Sequence, residues 1–428
     1  MIDSNNMARV VVLGGGVAGI SAAYHLKNGM AGDVVCYEAN STVGGLLSNF
    51  SISGFRFDNA VHLSFTKDEY VKAMFSKTEH YSHAPDSSCY ENGVWLRHPI
   101  QNNLYPLPIE DKVSLISSFY DAPKECGDNY SSWLVSQYGS ALAERYPIKY
   151  TLKYWGIDAS RLSLTWIGDR VRKADVGEIL RGAFEARVDN HYYANEMRYP
   201  KQGGYFSFIK PMLEKIDIRL NKKALSINLA LRSVTFADGE VVFFDKLINT
   251  IPLPELIRII DGVPESVKVA AESLLYTTID LISVGFSKVI ENKNLWFYIY
   301  TDTLAARAYS PSLKSPDSVP DGASSLQFEI YNLSTSDELT AEDMIADIKS
   351  YLIKSKLCSE DDILFLHHKK IPYGNVVYDH DMEMRRQVIL DYLNSNSIIT
   401  AGRFGEWSYL WSDQALLSGK HAAEIVSQ

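Results

Sequence analysis

The chain carries three glycines and one acidic residue whose spacing suits the binding of a dinucleotide. Gly14, Gly16 and Gly19 fit the pattern GxGxxG. In that pattern the first glycine makes a tight turn, the second lets a pyrophosphate approach the backbone, and the third lets a helix pack closely on a strand. Glu38 follows nineteen residues later, where a carboxylate accepts hydrogen bonds from a ribose diol and disfavours a 2′-phosphate. These residues predict a site for a cofactor with an unphosphorylated ribose.

A second pair of glycines, Gly44 and Gly45, lies six residues after Glu38. An acidic residue followed by such a glycine pair is typical of FAD enzymes, whereas nicotinamide enzymes usually lack the pair. The alternative interpretation is a plain turn without a binding role, since adjacent glycines also mark turns. Together with the first motif, the pair favours FAD as the cofactor. The FAD-binding residues predicted from this end of the chain are Gly14, Gly16, Val17, Ala18, Gly19, Glu38, Ala39, Gly45 and Leu46.

Short apolar runs supply the elements that hold these residues in place. The β-branched run 9–13 is typical of a parallel strand buried on both faces, and the run 34–37 predicts the strand that ends at Glu38. Two later runs, 245–252 and 397–403, also predict buried strands, and the second enters a glycine turn just before a helix. A nucleotide-binding domain assembled from separated segments explains all of these runs.

The composition is that of an ordinary globular protein and excludes several classes. The 428 residues suffice for two to three domains at about 150 residues each. The formal net charge of −10 argues against a nucleic-acid-binding protein, and it means that an anionic substrate needs a local cluster of arginines. The four separated cysteines predict neither disulfides nor a zinc site, and no apolar run is long enough for a membrane span. We therefore expect a cytoplasmic protein without a metal site.

Several further segments match, in order, the motifs of one enzyme family. Residues 99–103 read PIQNN, residues 166–171 read WIGDRV, and residues 198–204 read RYPKQGG, with Asn195 just before them. Residues 402–409 read GRFGEWSY. On this ordered set, which covers nearly the whole chain, the sequence resembles the UDP-galactopyranose mutases of the flavin amine oxidase and protoporphyrinogen oxidase superfamily. The likeness is strongest to the longer, eukaryotic-type forms.

The resemblance implies an isomerase that makes no net redox change. Enzymes of this family interconvert the pyranose and furanose forms of a nucleotide-diphosphate sugar. Reduced flavin N5 attacks the anomeric carbon and expels the nucleotide diphosphate, and the sugar–flavin adduct then opens and recloses with the other ring size. The resemblance thus implies reduced FAD, with NAD(P)H as one external reductant, a nucleotide-diphosphate sugar as substrate, and a role in cell-surface polysaccharide synthesis. It leaves a homodimer open, and no nucleic-acid partner is expected.

The resemblance also assigns roles to individual residues. Two arginines suit a diphosphate that must stay bound while the glycosidic bond is broken, because guanidinium groups hold phosphate oxygens bidentately. The implied catalytic residues are Arg170, Arg307 and His62. The implied substrate-binding residues are Gln101, Trp155, Asn195, Tyr298, Tyr409 and Asp413, and the C-terminal part adds Gly402, Arg403 and Gln414 to the cofactor site.

Three segments depart from the family pattern. Ala60-Val61 stands before His62, where the family has two glycines near the flavin, so a redox-linked backbone movement is expected to differ. His98 and Ile100 replace residues near the nucleotide base, and Asn375 replaces a tyrosine that binds the diphosphate. We therefore expect a related sugar nucleotide as substrate, with UDP-galactose as one candidate and another sugar or a dTDP-sugar as others.

The fold implied by the resemblance is α/β. A Rossmann-like, GR2-type FAD-binding domain is expected from residues 1–75, 200–262 and 385–428. A helical insertion is expected over 109–190, and an antiparallel β-sheet substrate domain over 76–108 and 263–384. Two other functions are weighed against the mutase: an FAD-dependent oxidoreductase of the amine oxidase type, which needs no paired arginines, and a flavin-free binding protein like the Rab GDP-dissociation inhibitors. The second predicts decayed glycine motifs, and the motifs here are intact.

Overall fold

The computed structural model describes residues 8–29, 32–85, 87–168, 171, 174–186, 196–337 and 339–428, and the following statements concern these residues. A five-stranded sheet in the order β19-β13-β1-β2-β9 contains only parallel neighbours. Its strands are β1 (Arg9–Leu13), β2 (Asp33–Tyr37), β9 (Asp217–Arg219), β13 (Lys246–Asn249) and β19 (Ile398–Thr400). The central strands are rich in valine and isoleucine because both of their faces are buried. Three segments that are far apart in the chain thus build one nucleotide-binding sheet.

Two helices pack together beside this sheet, and the first of them begins directly after the glycine turn of residues 14–16. They are α1 (Val17–Gly29) and α15 (Ser412–Ser427). A Cβ atom at Gly419 would lie 2.1 Å from the carbonyl oxygen of Ala18, so the two helices approach this closely only because residue 419 is glycine.

A seven-stranded sheet forms the second layer of the molecule, in the order β18-β14-β17-β16-β15-β6-β7. Its strands are β6 (Ser87–Glu91), β7 (Val94–Arg97), β14 (Thr277–Phe286), β15 (Trp296–Ile299), β16 (Arg307–Tyr309), β17 (Ser324–Leu333) and β18 (Ile363–Ile371). Alternate residues of β14 and β17 pack against α12 (Ala341–Lys354) in an apolar core. The intervening residues, such as Ile279 and Tyr331, line a cavity on the other face.

Three smaller sheets complete the β-structure of the described residues. They are the antiparallel meander of β10 (Ala224–Asn228), β11 (Ser233–Phe236) and β12 (Val241–Phe243), the hairpin of β3 (Asn49–Ile52) and β4 (Phe55–Asp58), and the pair of β5 (His80–His83) and β8 (Met197–Pro200).

The segment between residues 109 and 186 is helical where it is described. Its helices are α3 (Ile109–Tyr120), α4 (Tyr130–Tyr138), α5 (Ser140–Ala143), α6 (Lys149–Trp155) and α7 (Val176–Phe184). Helix α6 ends at Gly156, whose φ of +64° favours glycine and whose backbone lies against Leu333. The remaining helices are α2 (Glu69–Phe75), α8 (Lys210–Leu213), α9 (Leu253–Ile259), α10 (Glu265–Glu272), α11 (Pro311–Lys314), α13 (Met382–Ser395) and α14 (Gly402–Gly405).

The predicted fold class is confirmed: a parallel nucleotide-binding sheet from separated segments, helices between residues 109 and 186, and a large, mainly antiparallel sheet. One pair of strands differs from the expectation, because β15 and β6 run parallel within the large sheet. The domain boundaries stay a prediction. Within the described ranges, no helix is long and apolar enough to span a membrane.

Candidate functional site

The turn after β1 has the geometry that a dinucleotide cradle requires. Gly14 has a φ of +103°, in the left-handed region, and its N–H donates to the carbonyl oxygen of Tyr37 at 2.9 Å. A Cβ atom at Gly19 would lie 1.9 Å from the carbonyl oxygen of Gly14, so only glycine lets α1 reach the strand. A Cβ atom at Gly16 would meet no described atom within 4 Å. The backbone at Gly16 is therefore open to a ligand at the beginning of helix α1, where free N–H groups favour a pyrophosphate.

Glu38 lies beside this turn, at the end of β2. Its Oε2 accepts a hydrogen bond from the N–H of Gly15 at 2.7 Å, and its Oε1 accepts one from the N–H of Asn40 at 2.9 Å. The carboxylate is therefore fixed in place and still has lone pairs for the two hydroxyls of a ribose. Its neighbour Ala39 is exposed on the following turn.

The other glycine motifs converge on the same turn. The N–H of Gly44 donates to the carbonyl oxygen of Gly15 at 2.8 Å, and a Cβ atom at Gly45 would lie 3.3 Å from the Cα of Gly16. Gly402, with a φ of +82°, packs so closely that an added Cβ atom would lie 2.6 Å from that of Ala18. Three segments far apart in the sequence thus leave one groove of backbone, and these residues fit a flavin dinucleotide.

Two predicted cofactor residues have other contacts in the structure. Gln414 caps helix α15, because its Oε1 accepts a hydrogen bond from the N–H of Trp411 at 2.9 Å. Val17 is half-buried at the start of α1 and packs with neighbouring apolar residues.

A cavity of about 1150 Å³ lies next to this groove. Its volume exceeds the roughly 300–1,000 Å³ of most ligand pockets, which leaves room for a flavin ring together with a second ligand. Nine predicted site residues line the cavity: Leu46, His62, Gln101, Trp155, Tyr298, Arg307, Arg403, Tyr409 and Asp413. The predicted residues Arg170 and Asn195 lie outside the described residues.

Arg307, at the start of β16, provides a permanent positive charge in the cavity wall. Its Nε donates to the carboxylate of Glu329, and its Nη2 donates to the hydroxyl of Tyr331 at 2.9 Å. Burial acts to lower the pKa of this guanidinium, but the Glu329 carboxylate and the nearby phenol oxygens outweigh burial and hold the pKa well above its usual value. The side chain keeps 18% of its surface exposed, so guanidinium N–H groups that neither bond uses are available to an anion.

Tyrosine side chains surround Arg307. The guanidinium lies 5.2 Å from the ring centroid of Tyr154, whose hydroxyl is hydrogen-bonded to that of Tyr409 at 2.8 Å. Tyr298 pairs with Arg307 across the strands and packs on the ring of His98 at 4.6 Å. Burial raises the pKa of Tyr409 well above its usual value, so this hydroxyl stays protonated. A fixed cation among neutral phenols is an arrangement that can bind phosphate oxygens.

His62 lies in the cavity wall as a neutral imidazole. Burial lowers its pKa to about 4, although Asp58 acts in the opposite direction. The ring stacks on Tyr205 at 5.2 Å, and the Nδ1–H donates to the carbonyl oxygen of Ala60 at 3.1 Å. In that tautomer Nε2 is an acceptor. Ala60 itself has a φ of +76°, which an alanine adopts only at a cost.

Arg403 and Trp155 mainly hold the cavity wall together. The Nε of Arg403 donates to the carbonyl oxygen of Leu410 at 2.9 Å, and its Nη1 donates to that of Gly374 at 3.0 Å. Trp155 is only 3% exposed and packs on Tyr409 at 5.3 Å between ring centroids. Both residues line the cavity, and their roles in binding stay a prediction.

Glu329 is the main site residue that the sequence analysis missed. It is completely buried on β17 and accepts hydrogen bonds from Arg307, from the N–H of Val61 at 2.6 Å and from the hydroxyl of Tyr331 at 2.6 Å. The sequence contains a signal for it: Glu329 lies between Phe328 and Ile330 in β17, and no other residue of this ten-residue strand carries a charge. A carboxylate in such a strand is buried, and buried carboxylates require a partner.

Comparison with known proteins agrees with this geometry. Residues 17–427 match the family of flavin containing amine oxidoreductases. A crystal structure of reduced UDP-galactopyranose mutase superposes with a TM-score of 0.92 at 26% identity, over 98% of this chain and 95% of that one. Two further structures share the fold. Wild-type putrescine oxidase bound to putrescine has a TM-score of 0.66 and 15% identity, over 99% of this chain and 100% of that one. An oxidoreductase from Methanosarcina mazei has a TM-score of 0.64 and 13% identity, over 97% of this chain and 100% of that one.

The family match extends over nearly all of the chain, from the first turn of α1 to the end of α15. The glycine groove and the adjoining cavity are the features of this structure that suit a flavin. The chain belongs to the flavin containing amine oxidoreductase family.

Proposed function

We propose that this protein is an FAD-dependent mutase that interconverts the pyranose and furanose forms of a nucleotide-diphosphate sugar. The observation that carries the proposal is the placement of Arg307: a permanently charged guanidinium, ringed by tyrosines, in a large cavity beside the dinucleotide groove. In a protein with a net charge of −10, such a local cation is what an anionic substrate needs. The similarity to the mutase of known structure supports the same function.

The chain's own residues would hold the substrate while its glycosidic bond is broken. Arg307 donates to the diphosphate from one side, and the hydroxyls of Tyr298 and Tyr409 donate from positions next to it. Because the guanidinium is already held by Glu329 and Tyr331, it loses little freedom when the substrate binds. The diphosphate therefore stays bound to donors that keep their positions while the glycosidic bond is broken.

Other cavity residues would orient the sugar and the nucleotide. Gln101 and Trp155 line the part assigned to the nucleotide and sugar, and neutral His62 presents Nε2 as an acceptor. Reduced FAD, when bound, supplies the nucleophile for the anomeric carbon. Arg170 and Asn195 keep their proposed roles on the diphosphate and the sugar hydroxyls.

The alternative function is an FAD-dependent oxidoreductase of the amine oxidase type, and the electrostatics of the cavity argue against an amine as its substrate. Amine substrates are cations at neutral pH, and Arg307 would repel a cation placed beside it. Glu329, the carboxylate that pairs with Arg307, already accepts hydrogen bonds from three donors.

Anaerobic incubation with sugar nucleotides tests the proposal directly. The purified holoprotein is reduced with dithionite, supplied with UDP- and dTDP-linked pyranoses and furanoses, and assayed by chromatography, with oxidised protein as the control. We expect interconversion only in the reduced sample. Absence of interconversion with every sugar nucleotide, in protein that contains flavin, would overturn the proposal, and hydrogen peroxide produced from an amine would establish the oxidase instead.

Variants locate the activity in the cavity. Arg307→Lys keeps the charge but loses the planar fork, so we expect a large rise in KM and a fall in kcat. Arg145→Lys is the matched control, because Arg145 is also ion-paired, with Glu91 and Asp111, but does not line the cavity. Equal losses in both variants would mean that Arg307 acts through the fold and not on the substrate.

A further inference from the structure

Lys153, on helix α6, is a half-buried cation outside the cavity. Its side chain reaches the turn that joins β15 and β16. The Nζ donates to the carbonyl oxygens of Ile299 at 3.1 Å, Thr301 at 2.7 Å and Ala305 at 3.2 Å. An ammonium group has three N–H donors and no acceptor, so each donor has one partner here. One charged group thus ties the turn to α6.

This turn lies between two residues of the proposed diphosphate site. Tyr298 is on β15 just before the turn, Arg307 begins β16 just after it, and the two are paired across the strands. Both strands are short, with four and three residues. Ala305, whose carbonyl oxygen Lys153 binds, lies two residues before Arg307. A displacement of the turn therefore moves the backbone that carries Arg307.

Helix α6 supplies further side chains to the same site. Tyr154 follows Lys153 directly, and its ring centroid lies 5.2 Å from the guanidinium of Arg307. Tyr150 lies one turn earlier, and its ring packs on that of Tyr298 at 5.3 Å between centroids. All four of these site residues line the cavity. Lys153 therefore joins, from outside the cavity, the two elements whose side chains meet around Arg307.

We propose that Lys153 is a positioning residue for the diphosphate site: its ammonium group fixes the β15–β16 turn to α6 and thereby sets the distance between Arg307 and Tyr154. This rests on the proposed function, because a nucleotide diphosphate is the ligand whose affinity Lys153 controls. Misplacing a group by about 1 Å from a site far from the chemistry can cost an enzyme about 100-fold in activity. The diphosphate is bound both before and during the reaction, so a loss of positioning should weaken binding more than it slows turnover.

The charged groups around the ammonium determine its protonation. Burial lowers the pKa of Lys153 to about 8, and Lys149 on the same helix acts in the same direction. Asp302 in the turn and Asp347 on α12 act in the opposite direction, and Asp347 also accepts the N–H of Leu304 at 2.9 Å. Above a pH of about 8 the side chain is mainly an amine, which has two donors for three carbonyl oxygens. Nucleotide binding should therefore weaken over this pH range.

Nucleotide affinity tests the proposal, measured by titration of the oxidised holoprotein with UDP and dTDP and compared with KM and kcat in the mutase assay. Lys153→Met removes the charge and keeps an unbranched side chain of similar length. We expect Kd and KM to rise about tenfold, while kcat stays within about twofold. Lys112→Met is the matched control and should bind as the unaltered protein does. Lys112 is also half-buried and donates to two carbonyl oxygens, those of Tyr105 and Ala183, without lining the cavity.

Lys153→Arg is a second variant, which decides the question even if Lys153→Met loses its flavin. Arginine stays charged at every pH of the assay and has N–H donors for the carbonyl oxygens. We expect its affinity for UDP to lie within about threefold of that of the unaltered protein near neutral pH. The unaltered protein should bind UDP more weakly as the pH rises through about 8, and Lys153→Arg should not.

The outcomes separate this proposal from the function on which it rests. Unchanged affinity in Lys153→Met, or an equal loss in Lys112→Met, would overturn the positioning role. A pH dependence shared by the unaltered protein and Lys153→Arg would overturn it as well. Nucleotide binding that depends on Lys153, without mutase activity, would overturn the proposed function and uphold the positioning role. Absence of UDP and dTDP binding in the unaltered protein would overturn both.

Discussion

Replacing Glu329 by glutamine should lower the stability of the protein while it strengthens the binding of a nucleotide diphosphate. Glutamine has nearly the same shape, so the change removes the charge and leaves the packing intact. Glu329 is fully buried and is the partner of Arg307. After the change, the guanidinium has no counter-charge in the free protein, and a bound diphosphate becomes its only anionic partner.

The size of the loss in stability follows from this ion pair. Two unit charges about 4 Å apart attract each other by about 4 kcal/mol at an effective dielectric constant of about 20, and removing one partner of a buried pair costs about 3–5 kcal/mol. Arg307 keeps 18% side-chain exposure, and the glutamine carbonyl still accepts a hydrogen bond, so we expect about 3 kcal/mol. At about 2.1 cal/mol/K of unfolding entropy per residue over the 428 residues, this lowers Tm by about 3 °C.

Two measurements on the same samples check this prediction. Thermal unfolding of the holoprotein gives the change in Tm, and titration with UDP or dTDP gives the affinity, which should rise about tenfold if the diphosphate recovers about 1.4 kcal/mol of the lost attraction. Asp379→Asn is the matched control. Its carboxylate pairs with Arg385 at 2.8 Å and does not line the cavity, so this variant should lose stability without a change in affinity.

Two outcomes would refute the reasoning. An unchanged Tm would mean that Glu329 does not stabilise Arg307 in the folded protein. A lower Tm together with weaker nucleotide binding would mean that Glu329 acts by orienting Arg307 and not by neutralising its charge.

Three more predictions concern the groove and the cavity wall. Gly19→Ala should yield protein without bound flavin, because the added Cβ atom would collide with the carbonyl oxygen of Gly14. Flavin absorbance after purification measures this loss. Gly29→Ala is the control and should keep its flavin, because a Cβ atom there would meet no described neighbour within 4 Å. The pKa of His62 falls from 6.5 to about 4 on folding, so the unfolded chain binds the proton more readily and the protein loses stability as the pH falls from 6.5 towards 4. In acid unfolding curves, the His62→Asn variant should therefore lose less stability over this pH range than the unaltered protein. An unchanged slope would contradict the assignment of this pKa to His62. Ala60→Gly removes about 1 kcal/mol of backbone strain at a φ of +76°, but it also raises the conformational entropy of the unfolded chain by a similar amount. The Tm of this variant should therefore change by less than about 1 °C, whereas Ala60→Val should clearly lower the Tm.

The cofactor groove could be predicted from the sequence because its requirements are local. The turns at Gly14, Gly44 and Gly402 depend on backbone conformations that glycine adopts most easily, and such residues are visible in the sequence itself. The parallel strands can be predicted for a similar reason, since a strand buried on both faces consists almost entirely of apolar residues.

The contacts within the cavity could not be predicted in the same way, because they join distant parts of the chain. The family pattern singles out Arg307, but nothing near it in the sequence shows that Glu329 and Tyr331 hold its guanidinium. These partners follow from the antiparallel register of β16 and β17, in which residues 307 and 329 are directly opposed. Register depends on the whole sheet, so a single strand does not reveal it.

The same register explains why the departure at Ala60-Val61 matters. Glu329 accepts the N–H of Val61 with one oxygen and holds Arg307 with the other, so a single carboxylate joins the segment before His62 to the cation in the cavity. Ala60, at a φ of +76°, has fewer alternative conformations than the glycine that the family has there. A segment fixed at both of these points should move less when the flavin changes its redox state. Hydrogen exchange at the Val61 amide should therefore be equally slow in the oxidised and reduced proteins, and should become faster in both with Glu329→Gln.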